Sequence, residues 1–219
     1  MQDIIDLFNN GDREAAISAA VANIDAHPDD VGAYRLLVTM LINMRAYDQA
    51  DELTVKALGL FQDDPELRYN WGLSAYQQGD FKNALARLLP LTDKQTTPSL
   101  RTDAAYMVAL AYQASGDNNR ALAFAMTAHE LNPEAKDAAV LTANLMLGQG
   151  ITTQAKDILT PFVAGNDAQV LLAYGMAVSA TGEDGTPYLD QAKDVDPDAY
   201  QRARELVHLL IRQENQDER

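Results

Sequence analysis

Histidines, paired aspartates and tyrosines are the residues of this chain with chemistry to offer. His27, His129 and His208 stand far apart, and none has the second histidine of an HExxH pair. No metal site is therefore expected from them. The chain has no cysteine, which removes disulfides, thiolate ligands and thiol nucleophiles together. Asp29-Asp30 and Asp63-Asp64 resemble catalytic dyads when taken singly. Each adjoins a proline, in Pro28-Asp29-Asp30 and Asp64-Pro65-Glu66. There a carboxylate can accept the orphan N–H groups of a starting helix, so N-capping is the expected role. The acidic stretch EDGTPYLD at 183–190 lacks the alternating oxygen ligands and closing glutamate of a calcium loop. The glycines form no phosphate cradle. No catalytic residue, metal or cofactor is expected. The tyrosines offer contact area with few rotors and a polar tip, which suits a binding surface.

Composition narrows the partners. Lysine and arginine number 17 against 32 aspartate and glutamate, for a net charge of −15. Such a surface repels phosphate backbones and anionic lipid, so neither nucleic acid nor a membrane is expected as a partner. A hydrophobic share of 47% supports a sizeable core. The opening MQDIIDLFNNGDR has no basic region before its short apolar run, unlike a secretory signal. No stretch reaches the roughly 18 apolar residues of a membrane span. These features imply a cytoplasmic protein.

The elements that position the tyrosines are helical hairpins. From Tyr69 to Leu91, YNWGLSAYQQGDFKNALARLLPL reads as two amphipathic helices around a turn at Gly79-Asp80. Similar turns stand at Gly11-Asp12, Arg45-Ala46, Gly116-Asp117, Gly150-Ile151 and Gly182-Glu183, at intervals of 34, 34, 37, 34 and 32 residues. Five residues after the first five markers come Ala16, Ala50, Ala84, Ala121 and Ala155. Seven residues before the six markers come Ile4, Val38, Gly72, Ala109, Ala143 and Gly175. The two sites should face each other where the hairpin helices cross, since small side chains permit close approach.

This helix–turn–helix period resembles the tetratricopeptide-repeat family, with the strongest segments YNWGLSAYQQGDFKNAL and AAYMVALAYQASGDNNRALAFAMTAHELNP. The resemblance implies an all-α fold, an α-α superhelix or solenoid of about six repeats. These would fall at 1–30, 31–64, 65–98, 99–134, 135–167 and 168–197, followed by a capping helix at 198–216. The whole chain would be one domain. Arg45 departs from the family's turn glycine, and the sixth repeat is short of two residues, so its second helix should be short. Pro90 and Pro161 fall inside expected second helices and should kink or end them. The terminal helix would place Tyr200, Ala203, Val207 and Leu210 against the last repeat, shielding its apolar end.

In this family the first helices line a concave face. The resemblance therefore assigns binding to positions ten, six and three before each turn: Arg35, Thr39 and Ile42; Tyr69, Leu73 and Tyr76; Tyr106, Leu110 and Gln113; Val140, Asn144 and Leu147; Leu172, Met176 and Ser179. Tyr69, Leu73, Tyr76, Tyr106 and Leu110 would form an apolar strip, flanked by Arg35, Asn144 and Met176, unless twisting packs it between helices. The carboxylate clamp of chaperone-binding relatives is not expected, because only Arg35 and Asn70 could take part. The expected function is a non-catalytic adaptor that holds a partner's helix or apolar segment. The alternatives are a homodimer formed through the same strip or the terminal helix, and a peptide-sensing regulator.

Overall fold

The backbone answers the repeat at its turns. In the computed structural model, which describes residues 1–202, each of the six turn markers has a positive φ: Gly11 90°, Arg45 59°, Gly79 78°, Gly116 85°, Gly150 74° and Gly182 87°. Each closes the preceding helix in the same way. The N–H of Gly79 donates to the Tyr76 carbonyl and that of Asp80 to the Ala75 carbonyl, at 3.0 and 2.9 Å. The same pair of bonds recurs at the other five turns, as in Arg45 to Ile42 and Ala46 to Leu41. This is the left-handed helix stop that favours glycine, because a Cβ crowds the following carbonyl. Arg45 adopts it regardless.

The described residues form twelve α-helices. They are α1 (Gln2–Asn9), α2 (Arg13–Ala26), α3 (Val31–Asn43), α4 (Tyr47–Leu60), α5 (Pro65–Gln77), α6 (Phe81–Leu88), α7 (Pro98–Ala114), α8 (Asn118–Leu131), α9 (Lys136–Gly148), α10 (Thr152–Leu159), α11 (Ala168–Ala180) and α12 (Thr186–Val195). Two compact units divide within α8, Met1–Phe124 and Ala125–Arg219. In the first unit the hairpins α1–α2, α3–α4 and α5–α6 follow one another, and the first helices pack in series, α3 on α5 and α5 on α7. In the second, α9 pairs with α10 and packs on α11, which pairs with α12.

Aspartates start several helices, Asp30 and Asp64 near proline as expected and Asp80 and Asp167 without one. The Asp30 carboxylate accepts from the Gly32 N–H at 2.9 Å, Asp64 from Leu67 at 2.8 Å and Asp80 from Asn83 at 3.1 Å. Asp167 accepts from both Gln169 and Val170. Pro90 and Pro161 end their helices early. α6 and α10 stop after eight residues and continue as 3₁₀ segments, Leu89–Thr92 and Thr160–Gly165. The missing N–H removes one rung of the α ladder, and the tighter winding follows. α12 has 10 residues against 14 in α2 and α4, the short second helix expected of the sixth repeat. The helix expected at 198–216 begins among the described residues. Backbone winding resumes at 197, with the Ala199 N–H capped by Asp196 at 2.8 Å. Tyr200 packs against the cluster of Leu171, Leu172 and Ala192. The rest of that helix, including Ala203, Val207 and Leu210, lies outside the described residues.

Both small positions of the hairpin are inaccessible. Ala16, Ala50, Ala84, Ala121 and Ala155 are 0% exposed, as are Val38, Ala109 and Ala143. The structure refines the expected pairing in the third repeat. A Cβ on Gly72 would lie 2.5 Å from Cγ of Leu88, so the nearest atoms over Gly72 belong to Leu88 rather than Ala84. In the sixth, a Cβ on Gly175 would meet Leu189 at 2.8 Å. Glycine on the first helix is matched by leucine on the second.

Two stability tests follow from this geometry. Arg45→Gly should raise the urea midpoint, because relief of about 1–2 kcal/mol of left-handed strain exceeds glycine's extra chain entropy of about 0.5–1 kcal/mol. Gly79→Ala should lower it, although a Cβ at Gly79 meets nothing within 4 Å. Gly72→Ala should destabilise by about 1–3 kcal/mol through overpacking, against alanine's better helix propensity. Combined with Leu88→Ala, its effect should be less than additive in a double-mutant cycle of unfolding energies. Additive losses would place Gly72 and Leu88 out of contact.

Candidate functional site

The site is built from one face of α3, α5 and α7 in the first unit. α5 carries Tyr69, Leu73 and Tyr76, and α7 carries Tyr106 and Leu110; all five are half-buried. The Tyr69 phenol is partly desolvated. Burial first, then the charge of Asp103 and the neighbouring Tyr106 hydroxyl, push its phenol up to about 12. Asp103, one helical turn before Tyr106 on α7, is exposed, and the desolvation it retains raises its carboxyl. These three side chains from two first helices form one local environment.

The other expected residues are committed to varying degrees. Leu73 packs against the core cluster that includes Leu37, Leu41 and Ile42. Tyr76 leans on Phe81 at the start of α6, with ring centroids 5.7 Å apart, which closes its own hairpin. Arg35 reaches the next repeat instead of open solvent. Its guanidinium makes two hydrogen bonds to the Asp64 carboxylate, one through Nε at 3.0 Å, and a third to Glu66 at 2.8 Å. Burial alone would raise the Asp64 carboxyl, but Arg35 and the Leu67 N–H hold it below its ordinary value. Asn70 donates to the Thr39 hydroxyl at 3.2 Å. Both side chains that a carboxylate clamp would need are thus already engaged.

Three positions expected to line the face are core residues. Ile42, Val140 and Leu172 are 2%, 9% and 8% exposed. Each sits where its first helix meets neighbouring helices, so burial there overrides the periodic assignment. In the second unit, Asn144 on α9 is exposed and Met176 on α11 half-buried. Asp103 is the functional candidate that counting from the turns missed. Its signal was its place three residues before Tyr106, which puts both on one side of a helix.

Elsewhere the acidic motifs are structural. Asp184 of the EDGTPYLD stretch accepts from the Thr186 N–H at 3.0 Å, and Glu183 pairs with Lys156. Among the described residues, no three of histidine, cysteine, aspartate or glutamate converge as a metal site. No helix among them is long and apolar enough to cross a membrane.

No protein-family model and no curated protein sequence matches the chain. Solved structures do. A structure of PilF from Pseudomonas aeruginosa aligns with a TM-score of 0.79 at 20% identity, over 93% of this chain and 94% of that one. PilW, described as a widely conserved type IV pilus biogenesis factor, aligns at 0.74 and 17% identity over 90% and 92%. YrrB, a tetratricopeptide-repeat protein described as having an unusual peptide-binding site, aligns at 0.66 and 19% over 85% and 98%. The fold is that of the tetratricopeptide-repeat proteins. With this fold, the six left-handed turns are the punctuation of the helical hairpins, and α3, α5, α7, α9 and α11 are first helices of successive hairpins.

The Tyr69 environment can be read by titration. Its folded value lies above the ordinary value of 10.0, at about 12. Its contribution to stability is therefore fully present below pH 10 and is lost as pH rises through the folded value. Tyrosinate absorbance should show a phenol that ionises late, and Tyr69→Phe should remove that component. A Tyr69 that titrates at the ordinary phenol value would contradict its half-buried placement.

Proposed function

We propose that this chain is a non-catalytic protein-interaction adaptor whose first unit holds a helix or apolar segment of a partner protein. The face of α3, α5 and α7 provides the groove, with Tyr69, Leu73, Tyr106 and Leu110 as its apolar contacts. The observation that carries this reading is the half-buried pair Tyr69 and Tyr106 on neighbouring first helices. Aromatic rings already partly desolvated and fixed by their helices lose little freedom on binding. Arg35 and Tyr76 border the groove and take the lesser part, because Asp64, Glu66 and Phe81 already hold them. Asn144 and Met176 offer contacts on the second unit by the same positional logic.

The peptide-binding site described for YrrB supports the general mode for a related fold. At 19% identity it does not transfer a ligand. The pilus role described for PilW likewise belongs to that protein.

The test is capture from lysate of the source organism on immobilised wild type and on the Tyr69→Ala/Tyr106→Ala variant. A protein retained by the first and lost from the second is the expected result, with binding weakened by about 2 kcal/mol or more, as for central aromatic contacts. Identical capture by both would remove the groove assignment. Light scattering over a concentration series belongs with it, since self-association abolished by the same substitutions would give this face to a second copy.

A further inference from the structure

We propose that the second unit carries a cleft for an arginine side chain of a partner protein, built from residues outside the groove described above. The prolines that end α6 and α10 create the setting. Where each helix gives way to its 3₁₀ segment, a cleft lies against the junction that opens the same repeat. In the first unit it measures about 410 Å³, between Asp63, Pro65 and Arg68 of the junction and Pro90, Leu91 and Asp93 of the segment. In the second it measures about 430 Å³, lined by His129, Pro133 and Glu134 together with Asp157, Pro161 and Phe162.

The two clefts correspond through the repeat. Counted from the turns at Gly79 and Gly150, Asp63, Pro90 and Leu91 are matched by Glu134, Pro161 and Phe162. Each cleft therefore has a carboxylate, a proline and an apolar side chain in equivalent places. The first cleft shows what such a set can hold. Arg68 lines it, and its guanidinium donates to the Asp63 carboxylate at 2.8 Å and to the Gln62 carbonyl at 3.1 Å. The residue that corresponds to Arg68 in the second unit is Ala139, fully buried on α9. It brings no cation to Glu134. The basic residues of α8, α9 and α10 are committed to other carboxylates: Arg120 to Asp117, Lys136 to Asp167 and Lys156 to Glu183.

The second cleft thus keeps the acidic and apolar lining of the first but takes no arginine from the matching position. A guanidinium from outside fits it on two counts. Glu134 and Asp157 are exposed and open to a cation arriving from solvent. Phe162, standing where the first cleft has Leu91, offers a ring on which a planar guanidinium can stack. The net charge of −15 favours approach of a basic segment and opposes a second copy of this chain.

The probe is a phage-displayed library of random 12-residue peptides, selected on the full-length chain and counter-selected on Glu134→Gln/Asp157→Asn. Synthetic copies of the enriched peptides are measured by calorimetry against wild type, that variant and Tyr69→Ala/Tyr106→Ala, all checked for native helical circular dichroism. Enriched peptides should carry an arginine. Citrulline, its uncharged isostere, in that place should weaken binding to wild type by about tenfold or more, the loss of a charge-assisted contact. The same exchange should cost almost nothing on Glu134→Gln/Asp157→Asn, and the tyrosine variant should bind as wild type does. No enrichment over the counter-selection variant, or enriched peptides indifferent to citrulline, would overturn this inference and leave the groove standing. Peptides lost from Tyr69→Ala/Tyr106→Ala would place the arginine in the groove and overturn the cleft as its site.

Discussion

Two helices of a hairpin can approach only as closely as the side chains between them allow, and the rest of this structure follows from that limit. In the third repeat Leu88 occupies the space that Gly72 leaves open, and in the sixth Leu189 does the same for Gly175. The fully buried alanines at 16, 50, 84, 121 and 155 serve the same close approach from the second helix. Because the axes are held near each other, the turns must be tight, and tight turns require the left-handed residue found at all six markers. Small side chains and positive φ are thus two expressions of one geometric demand.

That demand also decides what the first helices can offer. In α5 and α11, one side is consumed by the hairpin partner and another by the preceding first helix. Only a narrow strip is left for anything else, and in α5 and α7 the strip holds tyrosine and leucine. Rigidity comes with the arrangement: Tyr69 and Tyr106 project from helices whose backs are anchored in a dense core. A surface presented this way needs little reordering when it is covered.

Most of the fold could be read from the residues because its constraints act on residue type. Glycine at a left-handed turn, alanine at a crossing, and aspartate before a helix each have a local physical cause. The turns between the hairpin helices accordingly fall at their six expected markers. Arg45 shows how the period succeeds where residue type fails, since arginine alone would not suggest a positive φ of 59°. The candidate site was less legible. Ile42, Val140 and Leu172 share the periodic positions of the groove yet are buried. An apolar side chain looks alike in sequence whether it faces a neighbouring helix or open space. Long-range pairings such as Arg35 with Asp64 are invisible to any count along the chain.

The aspartate caps tie neighbouring repeats together. Asp64 starts α5 and is held by Arg35 of the repeat before it, while Asp167 starts α11 and is held by Lys136 of α9. The group that caps a helix is therefore oriented by the preceding hairpin. The pairing is reciprocal, since each carboxylate also fixes the cation of the repeat before it. Loss of one repeat would release a cation in its predecessor or a cap in its successor, so nearest-neighbour coupling runs through a carboxylate shared between one repeat's cation and the next repeat's first turn.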